Sequence, residues 1–311
     1  MKTNKADVFS DNAVLLIDKT KGMTSFDTVT AVKRLIRQKK IGHCGTLDSF
    51  ATGLLTLCTG VNTKLVKYFM ESNKRYRADI QLGIKTDTDD PTGNVLEIKS
   101  FSEIREADIR KTVSSFIGTQ MQYPPVYSAL KIKGRRASDM ARRGDNVILE
   151  PRKVSIDAVD IIGYDSLSGR LSVEISCSKG TYIRSLARDT GGILGTGAHC
   201  AALRRISSGR FLVDDAVTVN ELSDIINGGA AAKKFCLHAL EALSDFGRVV
   251  LKPTAVKKAQ NGAWFGESEV KSLEDAGNEF IILSENEKLI AIANIDIDKW
   301  QIEYRNVFNG Q

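Results

Sequence analysis

Apolar and polar positions alternate along the chain in short blocks that read as separate strands and helices. Val14 to Ile17 is an apolar run followed by the turn-like DKTKGM, the pattern of a short strand. Thr24 or Ser25 can then cap a helix reaching about Arg37, with Phe26, Val29, Val32 and Leu35 or Ile36 forming its apolar stripe. Its opposite face is basic, with Lys33, Arg34 and Arg37 leading into Lys39 and Lys40. A glycine-rich segment, GHCGTLDSFATG from Gly42 to Gly53, precedes the apolar LLTLCTGV and predicts tight backbone geometry ahead of a buried strand. Between Lys74 and Gly83 the residues Tyr76, Ala78, Ile80 and Leu82 share one face, as in a half-buried strand. The polar TDTDDPTG then reads as a turn into a second strand near Val95 to Ile98.

Residues 102–117 carry a helical pattern, whereas QYPPVYSALK is extended because Pro124 and Pro125 forbid a helix. Extended segments near Val154 to Tyr164 and Arg170 to Cys177 precede a helix from about Tyr182 to Ile193, which starts just after a turn at Gly180. Two more helical stretches follow Gly209, and a polar boundary falls around Ser244 to Gly247. Beyond it, Phe280 to Leu283, Leu289 to Ala293 and Gln301 to Val307 suggest a small β-rich appendage. Strands and helices do not alternate as a βαβ series, so the fold class is α+β, with a large body over 1–246 and a small tail over 247–311.

At 311 residues the chain has length for about two domains at roughly 150 residues each. Its 42% hydrophobic and 26% charged content exclude the disordered and fibrous classes. The longest uncharged apolar stretch, Leu54 to Val61, is far short of a membrane span. The start, MKTNKADVFSD, lacks the apolar centre of a signal peptide, and the expected location is the cytoplasm. The formal net charge is +6. The tail holds 8 basic and 10 acidic residues, leaving 36 and 28 in the body, so the positive surplus lies in the body. It fits a polyanionic partner without requiring one. The five cysteines form no CxxC, and neither His199–Cys200 nor Cys236–His238 has ligand-pair spacing, so reduced thiols and no metal are expected.

Asp48 stands out, because a carboxylate between Gly45 and Gly53 can be presented into a cleft as a nucleophile or base, although aspartate is also an ordinary turn residue. Arg184, flanked by Ile183 and Leu186 near a helix start, could point inward and fix a carboxylate, or lie on the surface. Tyr76 and Tyr182 could stack on a nucleobase or fill the core, and His43 could enter a base stack or be solvated. Residues 131–153 carry eight basic and three acidic side chains, a solvated face or a phosphate track.

Taken in order, LLIDKTKGMTS, GHCGTLDSFATG, KRYRADIQLGIKTDTDDPTG, YPPVYSALKIKGRRA and CSKGTYIRSLARD resemble five blocks of the TruB family of tRNA pseudouridine-55 synthases. The likeness covers about residues 12–210. It implies a pseudouridine-synthase-like mixed sheet flanked by helices, followed by a C-terminal PUA-like RNA-binding domain. It further implies that Asp48 is the catalytic aspartate, Tyr76 the aromatic packed on the target uracil and Arg184 the partner that keeps Asp48 ionised. His43 would fill space vacated in the RNA, Tyr182 and Leu203 would line the uridine pocket, and Lys19 would support the site. Thr20 and Ser49 replace prolines usual in the family, and Cys44 and Ser138 also depart from its pattern, which predicts looser loops around Lys19 and Asp48. The expected substrate is the T-arm and loop of tRNA, with no cofactor, because isomerisation neither adds nor removes atoms. The compact body and small tail favour a stand-alone monomer without an obligatory protein partner. The rival readings are an RNA-guided synthase and a tRNA-folding helper with incidental catalysis.

Overall fold

A computed structural model describes residues 12–228 and 234–308; the N-terminal stretch MKTNKADVFS and Asp11 lie outside the described residues. The chain opens with strand β1 (Val14–Lys19), helix α1 (Ser25–Ile36), β2 (Ile41–His43), β3 (Thr52–Thr59), α2 (Val66–Glu71) and β4 (Lys74–Leu82). A hairpin of β5 (Ile84–Thr86) and β6 (Val95–Ile98) leads to α3 (Glu106–Ser114) and β7 (Gly118–Gln122). A second small hairpin, β8 (Lys131–Ile132) and β9 (Arg135–Arg136), runs into α4 (Ala137–Arg142). The body continues through β10 (Arg152–Asp165), β11 (Arg170–Cys177), α5 (Ile183–Leu194), β12 (Ala198–Ser208) and β13 (Phe211–Leu212). It closes with α6 (Val219–Ile226), β14 (Cys236–Leu237) and α7 (Ala239–Ala242). The tail holds β15 (Gly247–Leu251), α8 (Pro253–Gln260), β16 (Val270–Glu274), β17 (Glu279–Ser284), β18 (Leu289–Asp296) and β19 (Gln301–Val307).

One ten-stranded sheet organises the body in the order β14-β1-β3-β12-β4-β11-β10-β7, with β13 and β2 pairing off this path. Its pairings are antiparallel except between β3 and β12, where Thr52 faces Arg204 and Gly53 faces Arg205. This parallel junction joins the two halves of the sheet. Gly53 makes it possible: its φ is 102°, and a Cβ there would lie 2.3 Å from the carbonyl oxygen of Arg205. A bidentate pair from Arg204 to Asp18 of β1, at 2.7 and 3.0 Å, spans the junction.

Each half of the sheet has its own core. Leu15, Leu16 and Ile17 of β1 pack with Leu54, Leu55 and Leu57 of β3 and with Leu222 of α6. On the other half, Ala78 and Ile80 of β4 and Val173 and Ile175 of β11 pack beneath Ile183 and Leu186 of α5 and Ile109 of α3. Strand β3 is buried on both faces, which explains its near-continuous apolar sequence. In the tail, the five-stranded sheet β16-β15-β17-β18-β19 divides its side chains by the two-residue period of a strand. Phe280 and Ile282 turn toward α8, whereas Ile281 and Leu283 join the core of the body. Lys64 Nζ and Asn306 also bond carbonyls across that contact, at Val307 and Lys64. No helix among the described residues is long and apolar enough to cross a membrane.

The apolar stripe expected on α1 holds from Val29 onward, where Val29, Val32, Leu35 and Ile36 pack on the core of the body, and fails at its first member. Phe26 is 75% exposed, and the buried positions are Ser25, Thr28 and Val32. The cause lies in the cap: Thr24 and Asp27 form a reciprocal capping box, and Ser25 exchanges hydrogen bonds with Leu47, accepting from its amide at 2.8 Å and donating to its carbonyl at 3.1 Å. A polar contact with the glycine-rich loop therefore replaces Phe26 as the buried contact of the first turn. The helix expected over 102–117 is shorter, Glu106–Ser114, because Arg105 caps it in an extended conformation.

Replacing Gly53 by alanine forces a Cβ into the backbone of Arg205 at positive φ. It should cost at least ~1–3 kcal/mol of stability, read as a lowered midpoint in denaturant unfolding.

Candidate active site

The glycine-rich segment leaves β2 at His43 and enters β3 at Thr52, so its ends are fixed by neighbouring strands. Its middle is tied down from three sides. Cys44 donates to the Thr56 carbonyl at 2.9 Å, Leu47 is clasped by Ser25, and Gly22 donates to the Ser49 carbonyl at 2.8 Å. Lys19 is fully buried and donates from Nζ to the carbonyls of Thr20 and Met23 at 3.1 and 2.7 Å, bracing the 20–23 turn. The two loops lacking the usual prolines are thus joined to each other through hydrogen bonds.

Asp48 projects from this loop with its side chain 38% exposed, facing a cavity of about 530 Å³. Arg184 meets it from the first turn of α5 with a side chain only 3% exposed. Arg184 Nε lies 2.9 Å from Oδ2, and Nη2 donates to Oδ1 at 3.3 Å. The inward orientation follows from the helix: Gly180 turns the chain at positive φ, Tyr182 caps α5, and Ile183, Ser185, Leu186 and Ala187 are buried around Arg184. Gln122 fixes the cap by accepting from the Tyr182 amide at 2.8 Å and donating to its carbonyl at 3.1 Å.

The guanidinium has further partners. Nη1 donates to the Thr88 carbonyl at 2.9 Å and to Asp90 at 3.2 Å, and Nη2 donates to the Tyr127 carbonyl at 2.9 Å. Asp90 is 4% exposed and is itself oriented by Thr88 and Thr92, which donate to its Oδ1. A buried arginine held between two carboxylates is charge-compensated and cannot swing away from Asp48 without leaving Asp90 unpaired. Burial pushes the Asp48 carboxyl above its ordinary value; Arg184 acts against that rise and Asp90 adds to it. Arg184 thus favours the ionised carboxylate, as expected of an adjacent cation, while desolvation is the larger effect.

Tyr76, Tyr182 and Leu203 line the same cavity as Asp48 and Arg184. Tyr76 of β4 and Arg205 of β12 are cross-strand partners, and Leu203 faces Ala78 one step along, so these side chains share the cleft face. His43 and Lys19 do not line the cavity. Lys19 lies behind the loop within electrostatic reach of Asp48, and burial lowers its ammonium to about 8. His43 is held below its ordinary value by burial, with Arg205 adding to the effect, and its Nδ1 is enclosed without a hydrogen-bond partner. Basic residues of the 131–143 segment are exposed, and Arg152, Lys153 and Lys179 stand on the cavity wall.

Three contributors were missed from sequence. Asp90 lies in TDTDDPTG, which reads as a solvent turn; three aspartates with interleaved threonines exceed what a turn needs, and that density was the available signal. Arg205 and Lys74 are buried cations on strands, and nothing in their spacing distinguishes them from surface residues.

Residues 33–183 match the TruB family pseudouridylate synthase (N terminal domain), and residues 184–244 match the tRNA pseudouridylate synthase B C-terminal domain. The tRNA pseudouridine synthase B of Xanthomonas axonopodis pv. citri (strain 306) is 41% identical over 251 residues, covering 81% of each chain. That of Clostridium perfringens (strain 13 / Type A) is 40% identical over 251 residues, covering 81% of this chain and 83% of its own. The chain belongs to the TruB family of pseudouridylate synthases. Among solved structures, a Cbf5-Nop10-Gar1 complex matches with TM-score 0.73 at 23% identity, over 99% of this chain and 87% of that one. The archaeal box H/ACA sRNP Nop10-Cbf5 complex gives 0.71 at 22% identity, over 99% and 88%. Both show the same fold, a mixed sheet with helices and a β-rich C-terminal part.

Asp90→Asn should leave Arg184 short of a counter-charge, lowering stability by ~3 kcal/mol. It should also slow pseudouridine formation, measurable by thermal unfolding alongside single-turnover kinetics.

Proposed function

We propose that this protein converts uridine to pseudouridine at position 55 in the T-loop of tRNA, with Asp48 as the nucleophile and Arg184 as its ion-pair partner. The carrying observation is the Arg184-clamped carboxylate of Asp48 at a cavity that also holds Tyr76, Tyr182 and Leu203. The names of the relatives at about 40% identity support tRNA as the substrate class. The cavity accepts a single nucleotide, and a uridine stacked in an RNA loop reaches it only by being flipped out. Tyr76 offers a ring face for the flipped base, Tyr182 and Leu203 close its sides, and His43 occupies the space left in the loop. Arg152, Lys153 and Lys179 meet the flanking phosphates, joined by the exposed basic residues of 131–143. Residues 1–246 form the catalytic unit and 247–311 a PUA-like RNA-binding unit.

The chemistry needs no redox or group-transfer cofactor. The N1–C1′ bond of the nucleotide is broken, the uracil turns, and C5 joins C1′ while the base exchanges its C5 proton for one on N1. A carboxylate suits this sequence because it can bond covalently and later depart. The guided-enzyme reading is disfavoured by the names of the relatives. Purified protein acting on bare tRNA separates the two, since a guided enzyme is inactive without its guide.

Asp48→Asn should bind tRNA with unchanged affinity and form no pseudouridine, scored by release of tritium from C5 of labelled uridine in a T-arm minihelix. Normal turnover of this variant would end the assignment. In the wild type the working form is the carboxylate, so the single-turnover rate should hold above the Asp48 pKa and fall as acid passes through it. Because burial raises that pKa, the acid limb should lie above the 3.8 of an ordinary aspartate.

A further inference from the structure

Arg205 is the least expected charge in the molecule. It is 2% exposed on β12, opposite Tyr76 and beside Gly53, at the seam of the two half-sheets. Nε donates to the Leu54 carbonyl at 2.7 Å and Nη2 to the Gly45 carbonyl at 3.1 Å, and the Tyr76 phenol is a third partner. All three are neutral. Lys74, also buried and lining the cavity, donates to the carbonyls of Met70 and Ser72 and has no carboxylate partner among the described residues. Arg205 bears on its neighbours, since its charge adds to the burial that holds Lys19, His43 and Lys74 below their ordinary values. Arg205 has no carboxylate partner among the described residues; a buried guanidinium in that position is costly, and here it faces the reaction cavity.

Phosphates do not explain it. The cations suited to them, Arg152, Lys153 and Lys179, are at exposed positions, whereas Arg205 lies at the depth of Tyr76 and Leu203, where a flat base would sit. What becomes negative at that depth is the base. When the N1–C1′ bond breaks, its electron pair remains on uracil and spreads over N1, O2 and O4. The electron-poor C1′ is met by the Asp48 carboxylate, forming a C1′–O bond. After the ring turns, C5 bonds C1′ as that C–O bond breaks and its pair returns to the carboxylate; C5 then loses its proton and N1 gains one.

We propose that Arg205 is the counter-charge for the uracil anion formed in this step, a further catalytic residue fixed in place by Gly45, Leu54 and Tyr76. The inference rests on the reading of Asp48 given above. A fixed charge aimed at where negative charge develops lowers the barrier without strengthening binding of the neutral substrate.

The test compares Arg205→Lys and Arg205→Gln in the full-length protein, with tritium release under single turnover, tRNA affinity by filter binding, and thermal unfolding. Removing the charge should slow the reaction roughly 100- to 1,000-fold. Lysine should retain the rate to within about tenfold, and the tRNA Kd of both variants should stay within about threefold of the wild type. Arg205→Gln reacting within threefold of the wild type, a loss carried by Kd, or equal slowing in both variants would overturn the proposal; the last result would reduce Arg205 to a tie between Gly45 and Leu54. A measurement on the wild type needs no variant. A T-arm hairpin with 5-nitrouridine at the target position should gain affinity over the uridine hairpin as pH rises through the ionisation of its ring, and a constant ratio would overturn the proposal. Turnover by Asp48→Asn would instead defeat the reading of the reaction, leaving the lysine–glutamine ordering as a separate result.

Discussion

The buried guanidinium of Arg184 is the interaction around which the rest of the site is arranged. It binds the loop carboxylate of Asp48, the Thr88 carbonyl, the Asp90 carboxylate and the Tyr127 carbonyl, so it ties α5 to three segments that are far apart in sequence. An arginine almost wholly withdrawn from water must have its charge and its donors satisfied. That need explains why TDTDDPTG folds inward rather than standing as a solvated turn. It also explains why the extended segment after Pro124 and Pro125 runs past the first turn of α5, where Ser185 and Arg188 donate to the Tyr123 carbonyl.

A second constraint is the seam between the half-sheets. The parallel pairing of β3 with β12 brings Gly53 against Arg205, and the antiparallel pairing of β12 with β4 sets Arg205 opposite Tyr76. Asp48 is reached from one half through β2 and β3, and Arg184 from the other through α5, which packs against β12. Gly191 permits that close packing, since a Cβ on it would lie 2.2 Å from the Ala198 amide nitrogen. The cavity therefore sits where two separately packed cores meet. Rigid walls on both sides can hold the carboxylate, the aromatic rings and the buried cations in fixed relation.

Charge is distributed by depth. Exposed lysines and arginines surround the opening and suit a polyanion, whereas Arg184, Arg205 and Lys74 are buried within. Of these, Arg184 is neutralised by its two aspartates, and Arg205 and Lys74 have no carboxylate partner among the described residues. The tail adds no positive surplus. It meets the body through apolar Ile281, Leu283 and Phe308, with Lys64 resting over the Phe308 ring at 5.4 Å and hydrogen bonds between Lys64, Val307 and Asn306 at the edge.

Local chemistry was legible in the sequence wherever a residue type had one strong preference. Glycines and prolines marked the loops, the two-residue alternation of 76–82 marked β4, and the acid in GHCGTLDSFATG was singled out because glycine density implied a shaped loop. Resemblance to a family then joined Asp48 to Arg184, which no local pattern could do. The first turn of α1 was not legible: Phe26 extends the apolar stripe, yet Ser25 turned inward because its hydroxyl satisfies both backbone groups of Leu47, a partner 22 residues away. Asp90 and Arg205 were hidden for the same reason. By itself the sequence marked many of the strands, helices and loops, though not β7 or β12, and showed which residue types are available for chemistry, because those follow from short-range sterics and periodicity. Only the tertiary structure decided which charges are buried, which are compensated and which face the cavity, because burial and pairing are properties of strands and loops brought together from across the chain.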